Sequence, residues 1–160
     1  MLQKAALQKE GLSGLRTGFE GLDKMTSGWQ NSDLIIIAAR PAMGKTAFVL
    51  SMAKNMAVNF NTPVALFSLE MSNVQLVNRL IVNVCEIPGE KIKSGRLESY
   101  EWEQLDFKIK ELYDAPIFVD DTPSLSVFEL RTKARRLVRE HGIKCIIIDY
   151  LQLMNASGMN

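Results

Sequence analysis

Six apolar residues, Leu34 to Ala39, run straight into the loop Arg40-Pro41-Ala42-Met43-Gly44-Lys45-Thr46, and the stretch behind it, Ala47 to Val58, is apolar on nearly every side. The pattern predicts a buried strand, a glycine-bearing turn and a helix packed inside an α/β domain. That is the build of a phosphate-binding P-loop. Gly44 lets backbone N–H groups point at a polyphosphate with no Cβ in the way. Lys45 then reaches the outer phosphates as a point charge, Thr46 sets its hydroxyl on Mg²⁺, and the free N–H groups opening the helix face the anion. The nucleotide-binding set is therefore Arg40, Pro41, Ala42, Met43, Gly44, Lys45, Thr46 and Ala47. The strict form of such a loop carries Gly five positions before Gly44, where this chain has Ala39; alanine is tolerable if φ stays negative there. The competing reading is an ordinary strand-to-helix turn that holds Lys and Thr by chance.

A length of 160 residues suits one domain with a sizeable core. Hydrophobic residues at 47% and charged ones at 23% exclude a disordered chain. No apolar run approaches the roughly 18 residues of a membrane span, and no leader pattern opens the chain, so the expected compartment is the cytoplasm. Cys85 and Cys145 have neither metal-ligand spacing nor a disulfide framework and read as small core residues. The formal charge of +1 neither supports nor excludes a nucleic-acid partner, because a bound strand needs a local basic groove.

Four apolar runs rich in β-branched residues alternate with helical patterns: Leu34 to Ala39, Val64 to Leu69, Ile117 to Val119 and Cys145 to Ile148. That alternation predicts parallel strands with helical crossovers. Each run ends in polar residues, respectively Arg40, Glu70, Asp120 with Asp121, and Asp149. Ligands of open α/β sheets sit beyond the carboxyl ends of the strands, so these termini mark one candidate site.

The helix starts are legible as well. Ser72 with Gln75 and Ser126 with Glu129 form capping boxes, with Met71–Leu76 and Leu125–Leu130 as hydrophobic staples. The expected buried stripes are Val77, Leu80, Ile81 and Val84 in the first helix, and Val127, Ala134, Leu137 and Val138 in the second. Between them Trp102, Leu105, Ile109 and Leu112 line one face of a helix beginning near Ser99. The segment from Ile87 to Leu97 reads as a connection with a helical turn. His141-Gly142 closes the later helix, which makes the single histidine a helix terminus and not a base. Arg131, Lys133, Arg135, Arg136 and Arg139 form either a solvated face or a contact to another subunit or nucleic acid.

Asp149, at the end of Cys145-Ile146-Ile147-Ile148, has the form of a Walker B carboxylate that holds magnesium beside Thr46. The next residue is Tyr150, so a base that polarises the attacking water must come from elsewhere. Glu70 ends the strand after the P-loop helix and projects toward the same edge; its competing role is a favourable charge at the N-terminus of the helix near Ser72. Asp120 and Asp121 are weaker candidates, because an Asp-Asp-Thr-Pro turn before a capped helix already explains them.

With these pieces placed, the chain resembles the ATPase domain of the bacterial hexameric replicative DNA helicases of the DnaB type, which have a RecA-like core. The resemblance rests on Thr17-Gly18-Phe19-Glu20-Gly21-Leu22-Asp23, Ser32-Asp33-Leu34-Ile35-Ile36, Ala38 to Thr46, Phe67-Ser68-Leu69-Glu70-Met71-Ser72, Asp120-Asp121-Thr122-Pro123 and Ile148-Asp149-Tyr150-Leu151-Gln152-Leu153-Met154. The family also carries Ala where this chain has Ala39. By resemblance, Lys45 and Thr46 are phosphate and magnesium residues, Glu70 the water-activating and with Lys45 a catalytic residue, and Asp149 the Walker B aspartate. ATP and Mg²⁺ are the implied ligands. Single-stranded DNA, a homo-hexamer, a primase and a helicase loader are the implied partners.

The resemblance also sets the expected organisation: residues 1–13 as a linker helix or tail, and residues 14–160 as a partial RecA-like ATPase domain. The expected fold is an α/β, mostly parallel sheet flanked by helices, lacking the sensor strand and later elements of the family. In RecA-like sheets that sensor strand lies between the Walker A and Walker B strands, so a break in the sheet is expected there. The arginine finger and DNA loops also follow the Walker B strand in the family, so this chain is expected to bind ATP weakly, hydrolyse it poorly and unwind nothing. The alternatives are another RecA-like ATPase, of the recombinase or clock type, and a nucleotide-binding module that docks partners without helicase activity.

Overall fold

The computed structural model describes residues 12–154. Its elements, numbered in chain order, are α1 (Glu20–Thr26), α2 (Lys45–Lys54), β1 (Val64–Ser68), α3 (Asn73–Cys85), α4 (Gly89–Ser94), α5 (Ser99–Asp114), β2 (Ile117–Asp120), α6 (Val127–His141) and β3 (Cys145–Asp149). The expected linker or tail at residues 1–13 lies, up to residue 11, outside the described residues.

The three strands form one parallel sheet in the order β2-β1-β3. Central β1 is buried along its whole length, which is why it reads as a continuous apolar run. The pleat divides its side chains. Val64 and Leu66 join Leu50, Ala53 and Met56 from α2 and its continuation, and Leu76 and Leu80 of α3. Ala65 and Phe67 turn to the opposite face, onto Leu125, Ile143, and Leu130 and Leu137 of α6. A third cluster, Cys85, Ile87 and Leu105, ties α3 to α5.

The fourth expected strand is not one. Leu34 to Ala39 has no ladder partner among the described residues, and Leu34 and Ile36 are 88% and 79% exposed. A strand needs a neighbour for its N–H and C=O groups. None of the described strands lies beside this segment, so β-propensity alone leaves it extended and unpaired. Ile37 alone packs on the main core. The break expected between the Lys45 loop and the Asp149 strand is present.

Both predicted capping boxes form, at Ser72–Gln75 and Ser126–Glu129. The three predicted stripes hold at their centres and miss at their edges. Trp102 is 48% exposed while Glu101 is buried, because the inward face of α5 runs Glu101, Leu105, Ile109, Leu112. The buried Glu101 is satisfied by Lys91 at 2.6 Å and by the Glu98 N–H at 2.9 Å. In α6 the inward residues are Leu130 and Leu137, and Val127 and Val138 are exposed; in α3 Val77 is exposed and Leu76 takes its place.

The turn before α1 explains the Thr17-Gly18-Phe19…Asp23 pattern. The buried Asp23 carboxylate accepts from the Thr17 N–H (2.9 Å), the Thr17 hydroxyl (2.7 Å) and the Gly18 N–H (3.2 Å). Gly18 has φ +82°, and a Cβ there would stand 2.4 Å from Asn55 Cβ. Phe19 stacks on Phe48 of α2 with ring centroids 4.8 Å apart, which fixes this corner against the helix behind the loop.

Candidate nucleotide site

Because the strands are parallel, their carboxyl ends share one rim. Ser68 of β1 pairs with Asp149 of β3, and the Leu69 N–H donates to the Asp149 carbonyl at 2.8 Å. The loop 40–44 and the start of α2 meet this rim. Gly44 caps α2 in the left-handed region at φ 85°, ψ 17°, and no side chain spends the first N–H groups of the helix. Ala42 also has a positive φ, 62°, whereas Ala39 does not, so the methyl at Ala39 costs nothing and the loop's curvature falls on Ala42 and Gly44. Arg40, Pro41, Ala42, Met43 and Ala47 are exposed around it.

Three of the predicted side chains converge. The Thr46 hydroxyl donates to Asp149 Oδ2 at 2.8 Å, and Lys45 Nζ stands 3.2 Å from Asp149 Oδ1. Asp149 is only 3% exposed, so this charge is compensated where water does not reach it freely. A carboxylate and a hydroxyl are hard oxygen donors, few in number, as Mg²⁺ uses when phosphates supply the rest of its shell. Among the described residues no cluster of three or more His, Cys, Asp or Glu offers a protein-only metal cage.

Glu70 lies on the same rim, two residues past β1. The turn that holds it is closed by Ser68, whose hydroxyl donates to the Met71 carbonyl at 2.8 Å and accepts from the Met71 N–H at 3.1 Å. Glu70 is exposed and makes no side-chain hydrogen bond or ion pair among the described residues. The hydrogen bonds to the first turn of α3 come from other residues. Ser72 caps α3, and Asp121 accepts from the Asn73 N–H at 2.8 Å and its Nδ2 at 3.0 Å.

Asp120 ends β2, on the far side of β1 from Asp149. It accepts from the Thr122 N–H at 3.0 Å and from Lys133 Nζ at 2.6 Å. Burial pushes its carboxyl upward, but the Lys133 and Thr122 bonds outweigh that and hold it below the usual aspartate range. Both aspartates have hydrogen-bond partners from the chain itself, Asp120 in its turn and at Lys133, and Asp121 at Asn73. Of the α6 cations, Lys133 serves Asp120 and Arg136 pairs with Glu140 at 3.0 Å. His141 ends α6 and stacks on Phe118, centroids 4.3 Å apart, in keeping with a terminus and not a base.

One further residue, present in the sequence as the non-glutamate after Asp149 and as part of the Ile148-to-Met154 stretch but given no role there, meets the lysine. Tyr150 presents its ring face to Lys45 Nζ, 4.0 Å from the centroid. An aromatic residue directly after a strand-end aspartate is the signal that was available.

An open parallel sheet with this rim is the architecture of a RecA-like ATPase domain. Residues 14–160 match the family model described as DnaB-like helicase C terminal domain, and the chain belongs to that family. It is 52% identical over 151 residues to the replicative DNA helicase DnaB of a Nostoc species, covering 93% of this chain and 17% of that relative. It is 49% identical over 147 residues to the replicative DNA helicase DnaB of Geobacillus stearothermophilus, covering 92% of this chain and 32% of that relative. The chain therefore spans a third or less of these relatives' length. Among solved structures, one described as an ATPase domain superposes with a TM-score of 0.86 at 38% identity, covering 93% of this chain and 54% of that one. A DnaB-like replicative helicase, described with its interactions with primase, gives a TM-score of 0.86 and 38% identity over 93% of this chain and 36% of that one.

Proposed function

We propose that the chain is part of the ATP-driven motor of a replicative DNA helicase, with residues 14–160 contributing to a RecA-like ATPase domain. The observation that carries this is the meeting of Lys45 and Thr46 with Asp149 on one sheet rim, beside a loop whose helix N–H groups are unspent. Residues 40 to 47 wrap the phosphates, Lys45 neutralises the outer ones, and Thr46 and Asp149 hold the magnesium. Bound there, Mg²⁺ supplies charge stabilisation to the transferring phosphoryl group. Glu70, exposed on the same rim with no competing partner, orients and deprotonates the attacking water.

The family reading extends the proposal: in the complete protein these residues work in a cytoplasmic hexamer that translocates on single-stranded DNA and engages a primase and a loader. Nucleotide binding is tested by titrating a fluorescent ATP analogue with and without Mg²⁺. Saturable, Mg²⁺-dependent binding that Lys45→Ala weakens severalfold supports the site, and binding indifferent to Lys45→Ala rejects it. ATP turnover stimulated by single-stranded DNA separates a motor from a partner-docking module.

A further inference from the structure

We propose that Tyr150 is a positioning residue for Lys45, its ring face holding the lysine ammonium in place for an anionic ligand. The inference rests on the nucleotide reading above and adds to it a residue that the motif logic leaves idle.

The geometry is a three-part grip. Lys45 Nζ lies 3.2 Å from Asp149 Oδ1 and 4.0 Å from the centroid of the Tyr150 ring, while Thr46, the next residue of α2, donates to the other Asp149 oxygen at 2.8 Å. The Lys45 side chain is 26% exposed, so the ammonium sits at the boundary of the protein with part of its hydration replaced by the ring. A lysine stem is otherwise among the most costly side chains to order.

The two partners of that ammonium differ in kind. Asp149 is a formal anion, and its lone pairs are the ones a divalent ion would take. Tyr150 offers only the negative face of its ring, carries no formal charge, and leaves the three N–H donors of the ammonium able to turn to phosphate oxygens. A ring contact can therefore persist when the carboxylate is drawn away, and keeps the lysine ordered at the step where its ion pair loosens. Preorganisation of this kind raises affinity by lowering the ordering cost on binding. The phenolic hydroxyl has no part in it, so phenylalanine should serve and an aliphatic residue should not.

The test combines a contact measurement with a function measurement on the 160-residue chain. In the unsubstituted protein, the Lys45 ε-methylene protons should resonate upfield of a free lysine through the ring current of Tyr150. Tyr150→Phe should keep that shift and Tyr150→Leu should abolish it. Mant-ATP with Mg²⁺ should bind Tyr150→Leu about three- to tenfold more weakly than the parent, with Tyr150→Phe within about twofold. The Tyr150→Leu penalty should vanish in a Lys45→Ala background, a coupling that a general structural defect would not show. Unshifted Lys45 protons, parent-like binding by Tyr150→Leu, or a penalty of full size without Lys45 would each overturn the proposal. Failure of the site itself looks different: binding would then be insensitive to Lys45→Ala, and the role of Tyr150 would fall with it.

Discussion

Thr46 and Asp149 are 103 residues apart in the chain and share a hydrogen bond of 2.8 Å. The parallel order β2-β1-β3 makes that meeting possible, because it brings the end of β3 beside the start of α2 on a single rim. One buried carboxylate thus serves both a lysine and a threonine, and either partner's removal changes the electrostatics of the whole rim.

Replacing Asp149 by Asn keeps the shape and an acceptor for Thr46 but removes the charge that would hold a divalent ion. Mant-ATP affinity in Mg²⁺ is expected to fall about 10- to 100-fold, the scale of a charge-assisted contact of ~1.5–3 kcal/mol. Affinity in EDTA should change little. Retention of the full Mg²⁺ effect would remove Asp149 from the metal site.

Glu70→Gln should behave in the opposite manner. Glu70 is exposed and carries no ion pair or side-chain hydrogen bond among the described residues, so stability and nucleotide affinity should hold. Turnover in the complete helicase should drop about 10²- to 10⁴-fold, as for loss of a general base. An unchanged kcat would send the search for the base elsewhere.

How much of this was visible beforehand differs by element. The capping boxes at Ser72 and Ser126 are local, four-residue devices, and they form as read. The strands Val64–Ser68, Ile117–Asp120 and Cys145–Asp149 are legible because each is a short apolar run bounded by turn residues and followed or preceded by a helical pattern. Leu34 to Ala39 carries an equally strong pattern, yet pairing depends on a neighbour that no local pattern encodes. Trp102 misled for a related reason. Its bulk suggested the core, but the buried position went to Glu101, whose partner Lys91 lies ten residues back on α4. Lys45 and Thr46 are singled out by the spacing of the loop and Asp149 by its place at the end of an apolar run, whereas Tyr150 has no such rule and its contact appears only when the lysine is seen to rest on it.

Asp23 is a structural carboxylate by the same standard. Replacing it with Ala leaves the Thr17 N–H, the Thr17 hydroxyl and the Gly18 N–H without their acceptor in a buried turn. The expected cost is about 2–4 kcal/mol in urea unfolding, from buried donors left unsatisfied. A cost below about 0.5 kcal/mol would show that water replaces the carboxylate at that corner.

Acid should reveal the Asp120–Lys133 contact. The carboxyl of Asp120 is held below its usual range, so its contribution is present above the unfolded value of about 3.9 and is lost as pH falls through the folded value. Both side chains are partly exposed, which limits the neutral-pH cost of Lys133→Met to about 1 kcal/mol or less. The difference between parent and variant should shrink as pH falls through the folded value, where Asp120 becomes protonated in both. A gap that stays constant with pH would mean that Lys133 acts through packing alone.

At the alkaline end the cysteines give the complementary result. Burial pushes the Cys145 thiol up to about 11 and raises Cys85 as well, where the coulombic effect of Lys108 offsets only part of the desolvation. A thiol raised in the folded state favours folding below its unfolded value, near 8.5, and that contribution is lost as pH rises toward 11. At pH 8 only about a thousandth of Cys145 is thiolate in the native protein. Ellman's reagent at that pH should therefore find no rapidly reacting thiol until urea unfolds the chain, and then find two. A fast native thiol at pH 8 that a Cys145→Ser variant lacks would mean that β3, whose last residue is Asp149, opens locally, and with it the strand end on which Lys45 and Thr46 converge.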